Sequence, residues 1–211
     1  MKFRNYLYIF ITLIAGVFIF RQTYTGNEEL ENKKDQIIKS DIVNPIFANI
    51  NQERIINADN EPGSWLSHGR NYEEQRYSPL VQINKDNIDN LELAWSFDMS
   101  STRALESTPI VVDGIMFLTS EWSTVYAIDA KTGTEVWYYD PEVPKDWGRK
   151  ACCDVVNRGA AVWKGYVYSA TLDGRLIKLD AKTGELVWEI DTLIDRTRDY
   201  TITGAPRIAN N

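Results

Sequence analysis

The stretch IDAKTGTEVW at residues 128–137 returns as LDAKTGELVW at 179–188, an offset of 51 residues. The same offset maps Val112-Asp113-Gly114-Ile115-Met116-Phe117 onto Trp163-Lys164-Gly165-Tyr166-Val167-Tyr168, so a whole supersecondary unit is duplicated rather than one turn. Each unit reads as four short alternating runs. In the first they cover 108–112, 115–119, 124–129 and 135–139, separated by turns at Gly114 and at Thr132-Gly133. Four-stranded antiparallel units at a period of about 50 residues predict the blades of a β-propeller, which stack radially because one blade cannot bury both of its faces. The expected fold class is all-β, with about two blades in this chain. Gly133 and Gly184 supply the positive φ that a tight hairpin asks for. Trp137 and Trp188 are expected to pack between neighbouring blades, and Trp95, in the alternating run 93–97, to do the same from a further strand.

Composition narrows the function classes. A chain of 211 residues with 44% hydrophobic and 12% aromatic content can bury a substantial core, which argues against disorder. The 23 basic against 30 acidic residues give a net charge of −7, with no Lys/Arg cluster outside the extreme N-terminus, so a nucleic-acid surface has little support. The two cysteines, Cys152 and Cys153, are adjacent, which excludes a multi-bridge scaffold and a zinc site built on spaced pairs. The single histidine, His68, excludes a His-rich metal site, and it is read as a hydrogen-bonded structural residue.

Lys2 and Arg4 precede an apolar run at 6–20, broken only by Thr12 and followed by Arg21. Fifteen helical residues cover roughly 22 Å, short of a hydrocarbon core of about 30 Å, and a signal-peptide core fits that length. The segment 1–25 is therefore expected to be either a cleaved signal or an uncleaved inner-membrane anchor helix, and both destinations place the rest in the periplasm. Residues 26–60 read as a polar linker with at most one short helix, and 61–211 as the folded part, beginning near Trp65.

Several segments resemble the PQQ-dependent (quinoprotein) alcohol dehydrogenases of the methanol and ethanol dehydrogenase type. They are Trp65-Leu66-Ser67-His68-Gly69-Arg70, Arg76-Tyr77-Ser78-Pro79-Leu80, Leu105-Glu106-Ser107-Thr108-Pro109, Cys152-Cys153-Asp154-Val155-Val156-Asn157-Arg158-Gly159 and Thr201-Ile202-Thr203-Gly204-Ala205-Pro206, together with the tryptophan-bearing repeat. The resemblance covers roughly residues 58 to 211 and implies an eight-bladed propeller in the full-length family. It further implies that Glu106, Cys152, Cys153, Arg158 and Thr203 line the cofactor pyrroloquinoline quinone (PQQ). Cys152 and Cys153 would form a vicinal disulfide ring against the flat face of PQQ; two unpaired thiols are the alternative reading. The implied reaction oxidises an alcohol to an aldehyde and passes electrons to cytochrome c or to a fused domain carrying haem c. The family's calcium ligands and its general base have no counterpart here, so the chain is expected to be an N-terminal part, inactive alone, with neither a catalytic residue nor a metal ligand. A non-catalytic propeller scaffold for protein binding and a truncated inactive gene product are the alternatives.

The implied disulfide is open to direct measurement. Intact mass before and after reduction should differ by about two hydrogens; equal masses would leave two thiols.

Overall fold

The computed structural model describes residues 47–99, 103 and 105–209. The proposed signal or anchor at 1–25 lies outside the described residues. Among the described residues, no helix is long and apolar enough to cross a membrane.

Two four-stranded antiparallel sheets form, one per repeat. The first runs β1 (Ile110–Val112), β2 (Ile115–Thr119), β3 (Val125–Asp129) and β4 (Glu135–Tyr139) in sequence order; the second repeats this as β5 (Ala161–Trp163), β6 (Tyr166–Ala170), β7 (Arg175–Asp180) and β8 (Leu186–Asp191). The duplication extends to irregularities. A register shift falls between Ala127 and Ile128 in one sheet and between Lys178 and Leu179 in the other, at the place where each last hairpin begins. The repeated aspartate builds that hairpin. One Asp129 carboxylate oxygen accepts from the Lys131 and Thr132 amides at 3.0 and 2.8 Å, and Asp180 does the same for Lys182 and Thr183 at 2.9 and 3.0 Å. Those bonds, led by the Thr132 amide, hold the Asp129 carboxyl below the usual carboxylate range.

The sheets are joined by an indole seated on a glycine. Trp137 leaves β4 and donates its Nε1 hydrogen to the Ala181 carbonyl of the second unit at 3.0 Å. A Cβ on Gly184 would come within 2.7 Å of that indole ring, and Gly184 holds a φ of 75°. Trp95 treats the first unit alike, with Nε1 on the Ala130 carbonyl at 3.2 Å and the ring over Gly133, where a Cβ would approach to 2.6 Å. The repeated glycine thus serves both a left-handed backbone and a close approach. Around the docked Trp137, Phe117, Val125 and Ala127 of the first sheet and Val162, Val167 and Ile177 of the second form one buried cluster. Trp188 is half-buried and lies in its own sheet, 6.1 Å from the Tyr168 ring between centroids.

Two expectations are corrected. The run 93–97 forms no strand: a strand is defined by its hydrogen-bonded neighbour, and no described segment pairs with it. Its alternation survives in packing, since Trp95 meets the first hairpin and Phe97 meets Tyr126 edge-on at 5.8 Å. Order also begins before Trp65. Ala48, Ile50, Ile55 and Ala58 are buried in the same core, and Gln52–Ile56 forms a helix, α1, capped by the Asn51 side chain on the Arg54 amide at 2.9 Å. Its charges are used in pairs: Arg54 reaches Glu61 at 2.6 Å and Asp113 at 3.0 Å. Asp113 also accepts from the Ala48 amide at 3.1 Å, and the Lys164 amide donates to the Ile50 carbonyl at 2.9 Å, so the segment is tied to the first turn of both units.

The docking seat is testable against a control glycine. Gly184→Ala must hold a left-handed φ and displace an indole, and should cost about 2–4 kcal/mol in urea unfolding. Gly114→Ala keeps an equally left-handed backbone but its Cβ would meet open space, and should cost about 1–2 kcal/mol. Equal losses would show that the indole does not depend on the glycine.

Candidate functional site

The start of each unit lies beside the start of the next. The Thr108 amide donates to the Arg158 carbonyl at 3.2 Å, and the Arg158 amide donates to the Thr203 carbonyl at 2.9 Å. Residues about 50 positions apart along the chain thus form a short hydrogen-bonded arc ahead of β1 and β5. Side chains follow the backbone. The Arg158 guanidinium donates through Nη1 to Thr203 Oγ1 at 2.6 Å and through Nη2 to Glu106 Oε2 at 2.8 Å. Arg158 and Glu106 keep 41% and 38% of their side-chain surface exposed, so this pair lines an open face rather than the core.

The Cys153 thiol lies within electrostatic reach of Arg158 and Glu106. Cys152 and Cys153 are both exposed, and their sulfurs stand 2.7 Å apart. The implied disulfide is not formed in this structure, which carries two free thiols; closing the eight-membered ring requires the intervening peptide to leave its relaxed planar geometry. The Cys152 thiol beside it pushes the Cys153 thiol up, and the positive field of Arg158 and the negative field of Glu106 reach it with opposite effects. Of the five residues singled out in the sequence, the structure joins Glu106, Arg158 and Thr203 directly and sets the adjacent cysteines within electrostatic reach of the first two.

A layer of buried polar groups, not singled out in the sequence, holds them. Asn157 is buried and uses both ends of its amide. Its oxygen accepts from Thr119 Oγ1 at 2.9 Å and from the Gly159 amide at 3.0 Å, while its nitrogen donates to the Ala170 carbonyl at 2.8 Å. Thr119 closes β2, and its amide in turn donates to Ser107 Oγ at 3.0 Å. Asn157 thus ties the segment before Arg158 to the ends of β2 and β6, and Ser107 ties the segment after Glu106 to the same point. Asn157 and Ser107 stand within the segments that resembled the quinoproteins; Thr119, a strand-terminal threonine, carried no signal.

The 151–157 segment hangs from a second apolar cluster of Val143, Trp147, Val155 and Leu172. The Trp122 amide donates to the Val155 carbonyl at 2.9 Å, and Trp122 holds a left-handed φ of 58° without being glycine, a locally strained conformation. Asp154, also left-handed at 67°, accepts from its neighbouring Val155 amide at 2.9 Å and pairs with Arg103. His68 belongs to another set of contacts: its ring meets Arg76 and its carbonyl accepts from Trp65 Nε1 at 3.3 Å. Among the described residues, no group of three or more His, Cys, Asp and Glu is arranged to hold a metal ion.

The family described as PQQ, glucose/ethanol/alcohol dehydrogenase, beta-propeller domain, matches residues 65–193. The quinohemoprotein alcohol dehydrogenase ADH-IIG of Pseudomonas putida is 56% identical over 165 residues, covering 78% of this chain and 23% of that protein. The 1-butanol dehydrogenase (cytochrome c) of Thauera butanivorans is 56% identical over 146 residues, covering 69% and 21%. The chain thus spans under a quarter of the length of these relatives. Among solved structures, the quinohemoprotein alcohol dehydrogenase ADHIIG of Pseudomonas putida superimposes with a TM-score of 0.77 at 55% identity, covering 79% of this chain and 24% of that one. A europium-containing methanol dehydrogenase superimposes with a TM-score of 0.70 at 41% identity, covering 75% and 28%.

The buried amide makes a sharp prediction. Asn157→Ala leaves the Thr119 hydroxyl, the Gly159 amide and the Ala170 carbonyl short of partners, and should destabilise the fold by about 2–4 kcal/mol. Thr119→Val, which removes one hydroxyl at nearly constant volume, should cost about 1–2 kcal/mol. A loss under 0.5 kcal/mol for Asn157→Ala, by the same denaturant titration, would deny the network its role.

Proposed function

The chain belongs to the PQQ β-propeller family of glucose, ethanol and alcohol dehydrogenases, and on that premise we propose that it builds one wall of the PQQ site in an exported alcohol dehydrogenase. The carrying observation is the half-exposed Glu106–Arg158–Thr203 group. PQQ bears three carboxylic acid groups and two adjacent carbonyls, so it calls for a planar, permanently charged donor. Arg158 has five N–H donors, and Thr203 and Glu106 take one each, which leaves donors for an anionic ligand. Thr203 Oγ1 accepts from Arg158, so its own hydroxyl hydrogen remains to be donated. Glu106 compensates the guanidinium and orients it; because an acid near ligand carboxylates repels them, its bond to Arg158 is what makes it compatible with the site.

In this reading Cys152 and Cys153 are oxidised to the vicinal ring and present it to the flat face of the cofactor. The destination outside the cytoplasm, implied by the apolar run at 6–20, permits that oxidation. When bound, PQQ supplies the two-electron oxidising power that converts an alcohol to an aldehyde. The chain's own residues bind and orient: Arg158 and Thr203 by hydrogen bonds at the edge, the cysteine ring by contact with the face, and Asn157 by holding Arg158 in place. Calcium as Lewis acid, a general base, and cytochrome c or haem c as electron acceptor complete the proposal, and none is assigned to a residue of this chain. The cytochrome-linked and metal-containing relatives support that part.

A protein carrying this chain with the rest of its propeller should reduce a dye with a primary alcohol only when PQQ and calcium are supplied. Activity that survives both PQQ removal and chelation would sink the reading. Arg158→Lys keeps the charge but loses the fork, and should weaken PQQ affinity at least tenfold, about 1.4 kcal/mol, in a direct binding titration; unchanged affinity would remove Arg158 from the wall.

A further inference from the structure

The segment that bears the adjacent cysteines leaves one point and returns to it. Gly148 and Val155 flank the pair on either side, and they meet: a Cβ on Gly148 would come within 3.1 Å of Val155 Cγ1. The same Cβ would come within 2.9 Å of Trp122 Cη2. The indole carried by the turn between β2 and β3 therefore covers the base of the 148–155 loop, and the absence of a side chain at Gly148 lets it approach.

Trp122 holds that base with main chain and side chain together. Its amide donates to the Val155 carbonyl at 2.9 Å, and its ring packs on the cluster of Val143, Trp147, Val155 and Leu172. Two cations approach the ring: Lys145 Nζ lies 4.2 Å from its centre and the Arg103 guanidinium carbon 5.9 Å. Lys145 precedes the loop, and Arg103 pairs with Asp154, the residue after Cys153. The indole thus touches partners on both sides of the cysteine pair. Trp122 and Ser123 hold consecutive left-handed φ values of 58° and 65°, which side chains resist. The Trp122 amide bond and Ser123 Oγ, which accepts from the Leu172 amide at 2.9 Å, keep them there.

We propose that Trp122 is a positioning residue for Cys152 and Cys153: by closing the base of the loop it restricts the pair to conformers in which the two sulfurs face each other. The sulfurs stand 2.7 Å apart, against about 2.05 Å in a formed bond, so the held loop needs only a small movement to close the ring. A loop released at its base spreads over conformers in which the sulfurs point apart, and oxidation must then overcome that entropy. The inference deepens the reading of the pair as one face of the cofactor wall and rests on it.

The test equilibrates the full chain in glutathione buffers without PQQ and reads the oxidised fraction by intact mass after free thiols are alkylated. One glutathione disulfide accepts two electrons and two protons and leaves as two thiols, while Cys152 and Cys153 lose their thiol hydrogens and bond to each other. Trp122→Leu keeps the amide bond and an apolar filling but loses the reach of the ring, and should move the equilibrium at least tenfold toward the dithiol, equivalent to about 30 mV. Gly148→Ala, at a backbone that is not left-handed, leaves the indole intact and pushes it off the base, and should move the equilibrium the same way. Gly184→Ala, which loosens sheet docking away from this loop, should leave it within about twofold of the unaltered chain. No shift in either Trp122→Leu or Gly148→Ala, a shift toward the ring, an equal shift in Gly184→Ala, or an unaltered pair that stays reduced in oxidised glutathione would each overturn the proposal. The cofactor wall fails separately: unchanged PQQ affinity in Arg158→Lys leaves this equilibrium as measured.

Discussion

Two units of this fold are held in place by an indole laid on a glycine of the following hairpin. The interaction combines burial of a large aromatic surface, a hydrogen bond from the indole nitrogen to a backbone carbonyl, and a backbone conformation that favours glycine. Trp137 supplies it between the two complete sheets, and Trp95 supplies the same contact to the first. Because the hydrogen bond and the ring contact fall on one hairpin, they set the position of the next sheet as well as its separation. The duplicated aspartate prepares the seat by turning the hairpin amides onto its own side chain.

The arc at the start of the inner strands depends on that placement. With the sheets docked, the segments before β1 and β5 and the stretch at 203 come close enough for backbone bonds through Arg158. Asn157, Thr119 and Ser107 then fill the space behind with paired polar groups, so that Arg158 and Glu106 emerge toward the open face. Neighbouring residues differ in how they are used: Asn157 is buried and engaged at both ends of its amide, whereas Arg158 is half-exposed with donors to spare. The strained Trp122 and Asp154 lie where the cysteine segment turns over its apolar cluster, consistent with backbone strain being retained beside sites.

Some expectations failed for physical reasons. The run 93–97 has the alternation of a strand, but alternation records which side chains face a core and says nothing about a ladder partner; here Trp95 and Phe97 use it to pack without pairing. Residues 47–60 were read with the polar linker because a helix of five residues is too short for a periodic signal; in the fold Arg54 ties this segment to Glu61 and Asp113. His68 makes its contacts with Trp65 and Arg76, and its orphan ring nitrogen could not be foreseen, since that depends on Arg76 occupying the opposite nitrogen.

The 51-residue repeat was enough to establish the strands, their turns and their blade-like grouping, because period-two alternation and turn chemistry are local properties that each unit carries complete. Segments that resemble one enzyme family likewise singled out Glu106, Cys152, Cys153, Arg158 and Thr203, of which Arg158 meets Glu106 and Thr203 directly. Their mutual arrangement was not legible in the chain. That Arg158 bonds both Glu106 and Thr203, and that Asn157 locks it from behind, depend on groups brought together by docking one sheet onto the next. Such contacts join residues of widely separated segments, and no pattern along the chain encodes which two side chains will meet.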